Sequence, residues 1–314
     1  MSILLSAVIL IALFLVLGLS ADFAVKNIRY IALSLRLKMV ILGAILGIAT
    51  TLPELSVGIN TSLKGISGLS AGNILGGITV IIGLILGVSL ILHKNISTED
   101  NLKSLIPVLI VILLPFLLGI DGVFSLVDGV IMVALYLILI IYLYKTGKSN
   151  NLSPETLVII EKKKIAKALL FSLLGIVLVL VSSNFIVEIS STLLEKMNIS
   201  RLMMGILVFS IGTNLPEITI ALTSWKRKAS ELSISFLISS AFTNILTLGI
   251  LSIFKPVTFQ MGPAYYLLAF FLSLIMILFV VFSFSGKNLS RKEGFILLFT
   301  YVAFIAANIF FIGK

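Results

Sequence analysis

The 314-residue sequence contains no cysteine and only one histidine, His93. These absences exclude disulfide bonds, thiolate metal sites and multi-histidine metal sites, and we expect no resident cofactor. Charged residues are also scarce, at 11% of the chain against about 25% in an ordinary soluble domain. Hydrophobic residues make up 59%, which is more apolar surface than one soluble core of this length can bury. We therefore expect lipid to be the solvent for much of the chain.

Ten apolar runs are candidates for crossing a membrane, which takes about 17–25 residues of helix. The first run begins at Ser2 and lacks the charged segment and cleavage site of a signal peptide, so it indicates a spanning helix that is retained. The sequence thus predicts an all-α polytopic membrane protein with ten transmembrane helices. In chain order, the predicted spans are about 2–20, 39–63, 68–92, 105–120, 123–144, 165–187, 202–224, 232–254, 264–284 and 294–312.

Lysine and arginine are distributed unevenly between the predicted loops. Cytoplasmic loops of membrane proteins carry an excess of these residues, and an even number of spans places both termini on one side. The loops after odd-numbered spans hold 18 of the 23 basic residues: Lys26, Arg29, Arg36, Lys38, Lys94, Lys103, Lys145, Lys148, Lys162, Lys163, Lys164, Lys167, Lys226, Arg227, Lys228, Lys287, Arg291 and Lys292. We therefore expect a cell-membrane protein with both termini outside. The net charge of +10 is then a matter of topology, and no nucleic-acid partner is expected.

Short segments recur in the two halves of the chain. Residues 49–54 (Ala-Thr-Thr-Leu-Pro-Glu) match residues 212–217 (Gly-Thr-Asn-Leu-Pro-Glu), and residues 22–25 match residues 184–187. A long polar stretch separates the halves. We predict a first five-helix repeat at 1–145, a cytoplasmic linker at 146–164 and a second five-helix repeat at 165–314. Five spans per half would make the repeats inverted, an arrangement common in secondary transporters.

Glu54 and Glu217 lie well inside the apolar runs of spans 2 and 7. A charged acid at the centre of a spanning helix costs about 2.5–3.5 kcal/mol, so such acids are rare and usually functional. Each follows a proline, Pro53 or Pro216, which removes a helical hydrogen bond and frees the carbonyl four residues earlier. Carboxylates, hydroxyls and free carbonyls are the ligands of calcium. One such segment is also compatible with a protonated acid at a kink, but two repeat-related copies favour an ion site.

The two Leu-Pro-Glu segments resemble the alpha repeats of the calcium/cation antiporter superfamily, especially its prokaryotic sodium/calcium exchanger branch. That family carries Gly-Thr-Ser-Leu-Pro-Glu in each half, followed on the next helix by Gly-Asn-x-x-Gly-Ser. The resemblance covers essentially the whole chain and implies a site that holds calcium and sodium. The matching side chains here are Thr50, Thr51, Glu54, Thr213, Asn214, Glu217, Ser240 and Asn244, and the matching backbone carbonyls are those of Gly47, Thr50, Ser210 and Thr213.

The sequence departs from the family pattern mainly in the first half. Gly77 stands where the family has serine, and Ile81 stands where asparagine or aspartate is common. Two acids balance one calcium ion, two sodium ions or two protons, so a site for three sodium ions is poorly supported. The resemblance implies an antiporter, not an enzyme, that exchanges calcium for sodium by alternating access. We expect the monomer to be the functional unit. A proton-coupled antiporter for calcium or another divalent cation, or a non-transporting relative with an eroded site, remains open.

Overall fold

The computed structural model describes residues 2–35, 45, 47–93, 95–97, 102–146, 162–197, 199–227, 234–285 and 288–311. Most of them are helical. The predicted start of span 2 at 39–44 and most of the predicted linker, 147–161, lie outside the described residues. In chain order the helices are α1 (Ile3–Ser34), α2 (Leu52–Leu63), α3 (Gly68–Thr79, continuing through a π-helical turn at Val80–Ile85 into Leu86–His93), α4 (Leu102–Leu118), α5 (Leu126–Thr146), α6 (Lys162–Met197), α7 (Arg201–Thr213 and Leu215–Arg227), α8 (Ile234–Phe254), α9 (Pro263–Ser285) and α10 (Arg291–Phe310).

Within the described residues, seven helices are long and apolar enough to cross a membrane: α1, α3, α5, α6, α8, α9 and α10. Shorter apolar helices occur at Ile106–Leu118 in α4 and at Arg201–Thr213 in α7. The chain is therefore a helical, multi-pass membrane protein, as the composition predicts.

The first and sixth helices are much longer than predicted. We expected them to end near residues 20 and 187, but α1 has 32 residues and α6 has 36. Lys26 and Arg29, which we assigned to a loop, lie on α1. The Lys26 ammonium donates to the Asp22 carboxylate one turn earlier, a pairing that favours the helix. The predicted ends are wrong because apolar content alone does not mark where a helix stops.

Closely packed glycines bring the two halves of the chain together. In the α5–α8 crossing, a Cβ on Gly129 would lie 2.7 Å from the Gly249 carbonyl oxygen. In the α3–α10 crossing, a Cβ on Gly294 would lie 2.8 Å from the Gly87 carbonyl oxygen. Small residues allow such close backbone contact between membrane helices. Thus the third helix of each half packs against the last helix of the other.

Four short strands join the connecting segments in pairs. The strands β1 (Asn95–Ser97) and β4 (Asn288–Ser290) follow α3 and α9 and pair antiparallel. The strands β2 (Val123–Phe124) and β3 (Val257–Thr258) follow α4 and α8 and also pair antiparallel. Segments after odd-numbered helices therefore contact each other, and so do segments after even-numbered helices.

A third glycine contact lies beside the centre of the molecule, where α3 crosses the first piece of α7. A Cβ on Gly72 would overlap the Leu202 carbonyl oxygen and lie 3.1 Å from the Gly205 Cα atom. Both partners are backbone atoms, so the contact cannot be relieved by turning a side chain.

We predict that Gly72→Ala lowers the free energy of unfolding by about 1–3 kcal/mol, because the added methyl group overpacks this crossing. Thermal unfolding of the purified protein in detergent measures the loss. Gly262→Ala is the matched control, since no described atom lies within 4 Å of a Cβ there. Equal melting temperatures for the two variants would contradict the crossing.

Candidate cation site

The two Leu-Pro-Glu segments lie at two helix breaks with the same backbone geometry. The residue at the break is Thr51 in the first half, with φ −91° and ψ 12°, and Asn214 in the second, with φ −88° and ψ 12°. Helical bonding resumes just after each proline: the Leu55 amide donates to the Thr51 carbonyl at 2.9 Å, and the Ile218 amide donates to the Asn214 carbonyl at 3.0 Å. The breaks therefore occur where the prolines predict them.

The carboxylates of Glu54 and Glu217 are buried just after these breaks, each with only 3% of its surface exposed. The Oε2 atom of each is fully buried and has no hydrogen-bond partner among the described residues. The two groups are close enough for the charge on Glu217 to act on Glu54. Two buried acceptors without donors carry a free-energy penalty that a cation between them would remove.

Each carboxylate has a hydroxyl as a neighbour. The side chain of Thr213, in the second half of the chain, lies near Glu54, and that of Ser240 lies near Glu217. The Thr213 hydroxyl donates to the Asn73 Oδ1 atom at 2.9 Å. Glu54 and Asn73 belong to the first half, so Thr213 links the halves at the site. Asn73 is completely buried and was not among the predicted ligands, although it belongs to the Gly-Asn motif.

Two carboxamides occupy the space beside Gly77, where the family pattern has a serine. A Cβ on Gly77 would lie 3.0 Å from the Asn214 Nδ2 atom and 3.4 Å from the Asn244 Nδ2 atom. The Asn214 Nδ2 atom donates to the Ser210 carbonyl at 2.8 Å. The Asn244 Oδ1 atom is buried without a partner among the described residues. The two amides thus occupy the space that a serine side chain at position 77 would take. Ile81, the second residue that departs from the family pattern, is completely buried.

The remaining predicted ligands lie along the same breaks. The Thr50 hydroxyl donates to the Gly47 carbonyl at 2.9 Å, and the Thr51 hydroxyl donates to the Ile48 carbonyl at 3.1 Å. The Ser210 hydroxyl likewise donates within its own helix. Because each proton is used locally, the oxygen lone pairs stay available as acceptors. The structure therefore gathers carboxylate, amide and hydroxyl oxygens at two apposed helix breaks, which is the donor set that hard cations prefer.

In the described part of the chain, no three His, Asp, Glu or Cys side chains form a group that could hold a metal ion. The charge available at the helix breaks therefore comes from the two glutamates.

Comparison with known proteins identifies the family. The family model for the sodium/calcium exchanger protein matches residues 5–145 and 167–310 of this chain. The chain belongs to the sodium/calcium exchanger family. A membrane protein of Methanocaldococcus jannaschii is 28% identical over 292 residues, which are 91% of this chain and 92% of that protein. The resemblance inferred from the two Leu-Pro-Glu segments is confirmed.

Two solved structures have the same fold. The sodium-calcium exchanger NCX_Mj, soaked with 2.5 mM Na⁺ and 0.1 mM Ca²⁺, matches with a TM-score of 0.65 and 27% identity over 98% of this chain and 99% of its own. The crystal structure of the H⁺/Ca²⁺ exchanger CAX matches with a TM-score of 0.75 and 18% identity over 96% of this chain and 85% of its own. At that identity the second likeness concerns the fold alone. The family and the fold are those of transporters.

The amides beside Gly77 generate a prediction about sodium. Gly77→Ser with Ile81→Asn adds two side-chain oxygens, but the serine crowds the Asn214 amide, so we expect this pair to lower the free energy of unfolding by about 1–3 kcal/mol. Adding Asn214→Ser shortens the crowding side chain, and the triple variant should recover stability and bind sodium more tightly than the unsubstituted protein. Sodium-dependent thermal stabilisation measures both effects. Unchanged sodium affinity in a stable triple variant would show that the missing oxygens are not what limits sodium binding.

Proposed function

We propose that this protein is a secondary active antiporter that exchanges calcium for sodium across the cell membrane by alternating access. The observation that carries the proposal is the pair of buried, unpartnered carboxylate oxygens of Glu54 and Glu217 at two apposed helix breaks. A doubly charged cation between two carboxylates neutralises both at once. The sodium/calcium exchange named for the family and for NCX_Mj supports the same choice of ions.

The proposed site combines both halves of a single chain, so we expect the monomer to be the functional unit. Its two acids balance one calcium ion or two monovalent cations, which therefore compete for the same oxygens. We assign as its ligands the side chains of Glu54, Glu217, Thr50, Thr51, Thr213, Asn214, Ser240 and Asn244, together with the backbone carbonyls of Gly47, Thr50, Ser210 and Thr213.

We further propose that the chain has ten spans in two inverted five-helix repeats, 1–145 and 165–314, joined by a linker at 146–164. The equal dihedral angles at Thr51 and Asn214 support this repeat, since these residues correspond in the two matching segments. The glycine crossings support it too. In the proposed repeat, α3 corresponds to α8 and α10 corresponds to α5, so the α3–α10 crossing is the counterpart of the α8–α5 crossing. The β1–β4 strand pair is likewise the counterpart of the β3–β2 pair. The two matched stretches of the family model are divided near the same linker.

Proton coupling is the second candidate, and the surroundings of Gly77 favour it. Gly77 and Ile81 contribute no side-chain oxygen, and the two neighbouring amides present Nδ2 atoms to Gly77. Sodium needs such oxygens, whereas protons need only the carboxylates. The same site would then exchange calcium, or another divalent cation, for protons.

The deciding experiment is calcium uptake into proteoliposomes with sodium and proton gradients imposed separately. We expect an outwardly directed sodium gradient to drive uptake, and Glu54→Gln or Glu217→Gln to abolish it, because each change removes one of two buried charges while it keeps the shape of the side chain. Glu195→Gln, a change at an exposed residue near the end of α6, is the matched control and should leave uptake intact.

Calcium uptake driven by a proton gradient alone would show that protons, and not sodium, are the coupling ion. Near-normal calcium uptake in both glutamine variants would show that the proposed site is wrong. Folded protein must be confirmed for each variant by size-exclusion chromatography, so that loss of uptake is not loss of the protein.

The proposed topology is tested by labelling single cysteines, for which the cysteine-free chain is a natural background. From the excess of basic residues after odd-numbered spans, we expect cysteines at positions 163 and 287 to react only from the cytoplasmic side. A cysteine at position 255 should react only from outside. Labelling of positions 163 and 255 from the same face would rule out the inverted arrangement.

A further inference from the structure

Two buried tyrosines occupy corresponding places in the last helix of each half. Tyr136 on α5 follows Gly129 by seven residues, and Tyr301 on α10 follows Gly294 by seven residues. Seven residues make about two helical turns, so each tyrosine lies on the same helix face as its glycine. Both glycines belong to the crossings between the halves, and each tyrosine is only 4% exposed. The tyrosines therefore face the third helix of the opposite half.

The surroundings of the two hydroxyls differ. The Tyr301 hydroxyl is buried without a hydrogen-bond partner among the described residues, and its ring lies against Gly83 of α3. The Tyr136 ring stacks on Phe242 of α8, with ring centroids 4.6 Å apart and planes inclined by 23°. Thr243 is the next residue of α8, and its hydroxyl and that of Tyr136 lie beside the same glycine, Gly47.

The Tyr136 and Thr243 hydroxyls converge on the backbone that precedes the first helix break. A Cβ on Gly47 would lie 3.3 Å from the Thr243 Oγ1 atom and 3.9 Å from the Tyr136 hydroxyl oxygen. Thr243 donates its own proton to the Ser239 carbonyl at 2.8 Å, so its oxygen is free to accept from Tyr136. The Gly47 carbonyl in turn accepts from Thr50.

We infer that Tyr136 is a positioning residue for the cation site. Through Thr243 it holds the Gly47 backbone, one wall of the site, against the part of α8 that carries Ser240. This inference rests on the proposed function, since it assigns to Tyr136 a part in the affinity of that site. The residue of α3 that corresponds to Thr243 is Val80, which has no hydroxyl. Tyr301 consequently lacks this role.

The test compares Tyr136→Phe with Tyr301→Phe, two equally conservative changes at corresponding buried positions. Calcium affinity is measured in detergent from the calcium dependence of the melting temperature, and KM and maximal rate are measured from calcium uptake into proteoliposomes. We expect Tyr136→Phe to weaken calcium binding and raise KM about fivefold, the effect of losing one hydrogen bond, with little change in maximal rate. Tyr301→Phe should leave both values unchanged.

Thr243→Val supplies an independent variant. It should raise KM to a similar extent, and the double variant Tyr136→Phe, Thr243→Val should be no worse than either single change, because both remove the same link. If Tyr136→Phe lowers the melting temperature but leaves the calcium affinity unchanged, Tyr136 contributes only to packing and the inference is wrong. So would equal effects of Tyr136→Phe and Tyr301→Phe. Failure of the unsubstituted protein to bind or transport calcium would overturn the proposed function together with this inference, whereas normal transport by Tyr136→Phe would overturn only the inference.

Discussion

Backbone polar groups in lipid have no water to bond to, and this constraint governs the arrangement of the whole molecule. A proline inside a spanning helix leaves a carbonyl without its donor, so the break is tolerated only where other protein covers it. The breaks at Thr51 and Asn214 are covered by each other's half and by α3 and α8. Because these breaks also carry the two glutamates, the requirement that shields the free carbonyls brings the acids together. The need to shield these carbonyls from lipid therefore accounts both for the core of the fold and for the meeting of the two glutamates.

The glycine crossings explain how the helices around Glu54 and Glu217 come close together. A carboxylate reaches only a few ångströms from its helix axis, so the helices around two apposed glutamates must pack with little side chain between them. Gly72 and Gly205 allow this beside the breaks, and the α5–α8 and α3–α10 crossings allow it further out. Large apolar side chains are exposed on α1, α5, α6, α9 and α10, which therefore provide much of the lipid-facing surface.

The sequence predicts the helical membrane fold, the breaks and the two central acids, because each has a local signature. Apolar length marks a span, and Pro53 and Pro216 mark the breaks. It does not predict that α1 continues past residue 20, since polar residues on a long helix read as a loop when only hydropathy is considered. Nor does it predict the amides beside Gly77 or the position of the Tyr136 hydroxyl beside Gly47. These depend on helices distant in sequence that meet only in the folded chain, and no spacing rule encodes such meetings.

The crossing of α3 with α10 also bears on how the protein is made. The first half leaves the ribosome before α10 exists, so until the second half is made Gly87 lacks its packing partner Gly294 and Glu54 lacks Thr213 as a neighbour. Neither half can satisfy its own buried groups, and each carries a surface shaped for the other. The contacts between α3 and α10 can therefore form only after the last helix is inserted. The two halves are accordingly parts of one folding unit, although short segments of sequence recur in both.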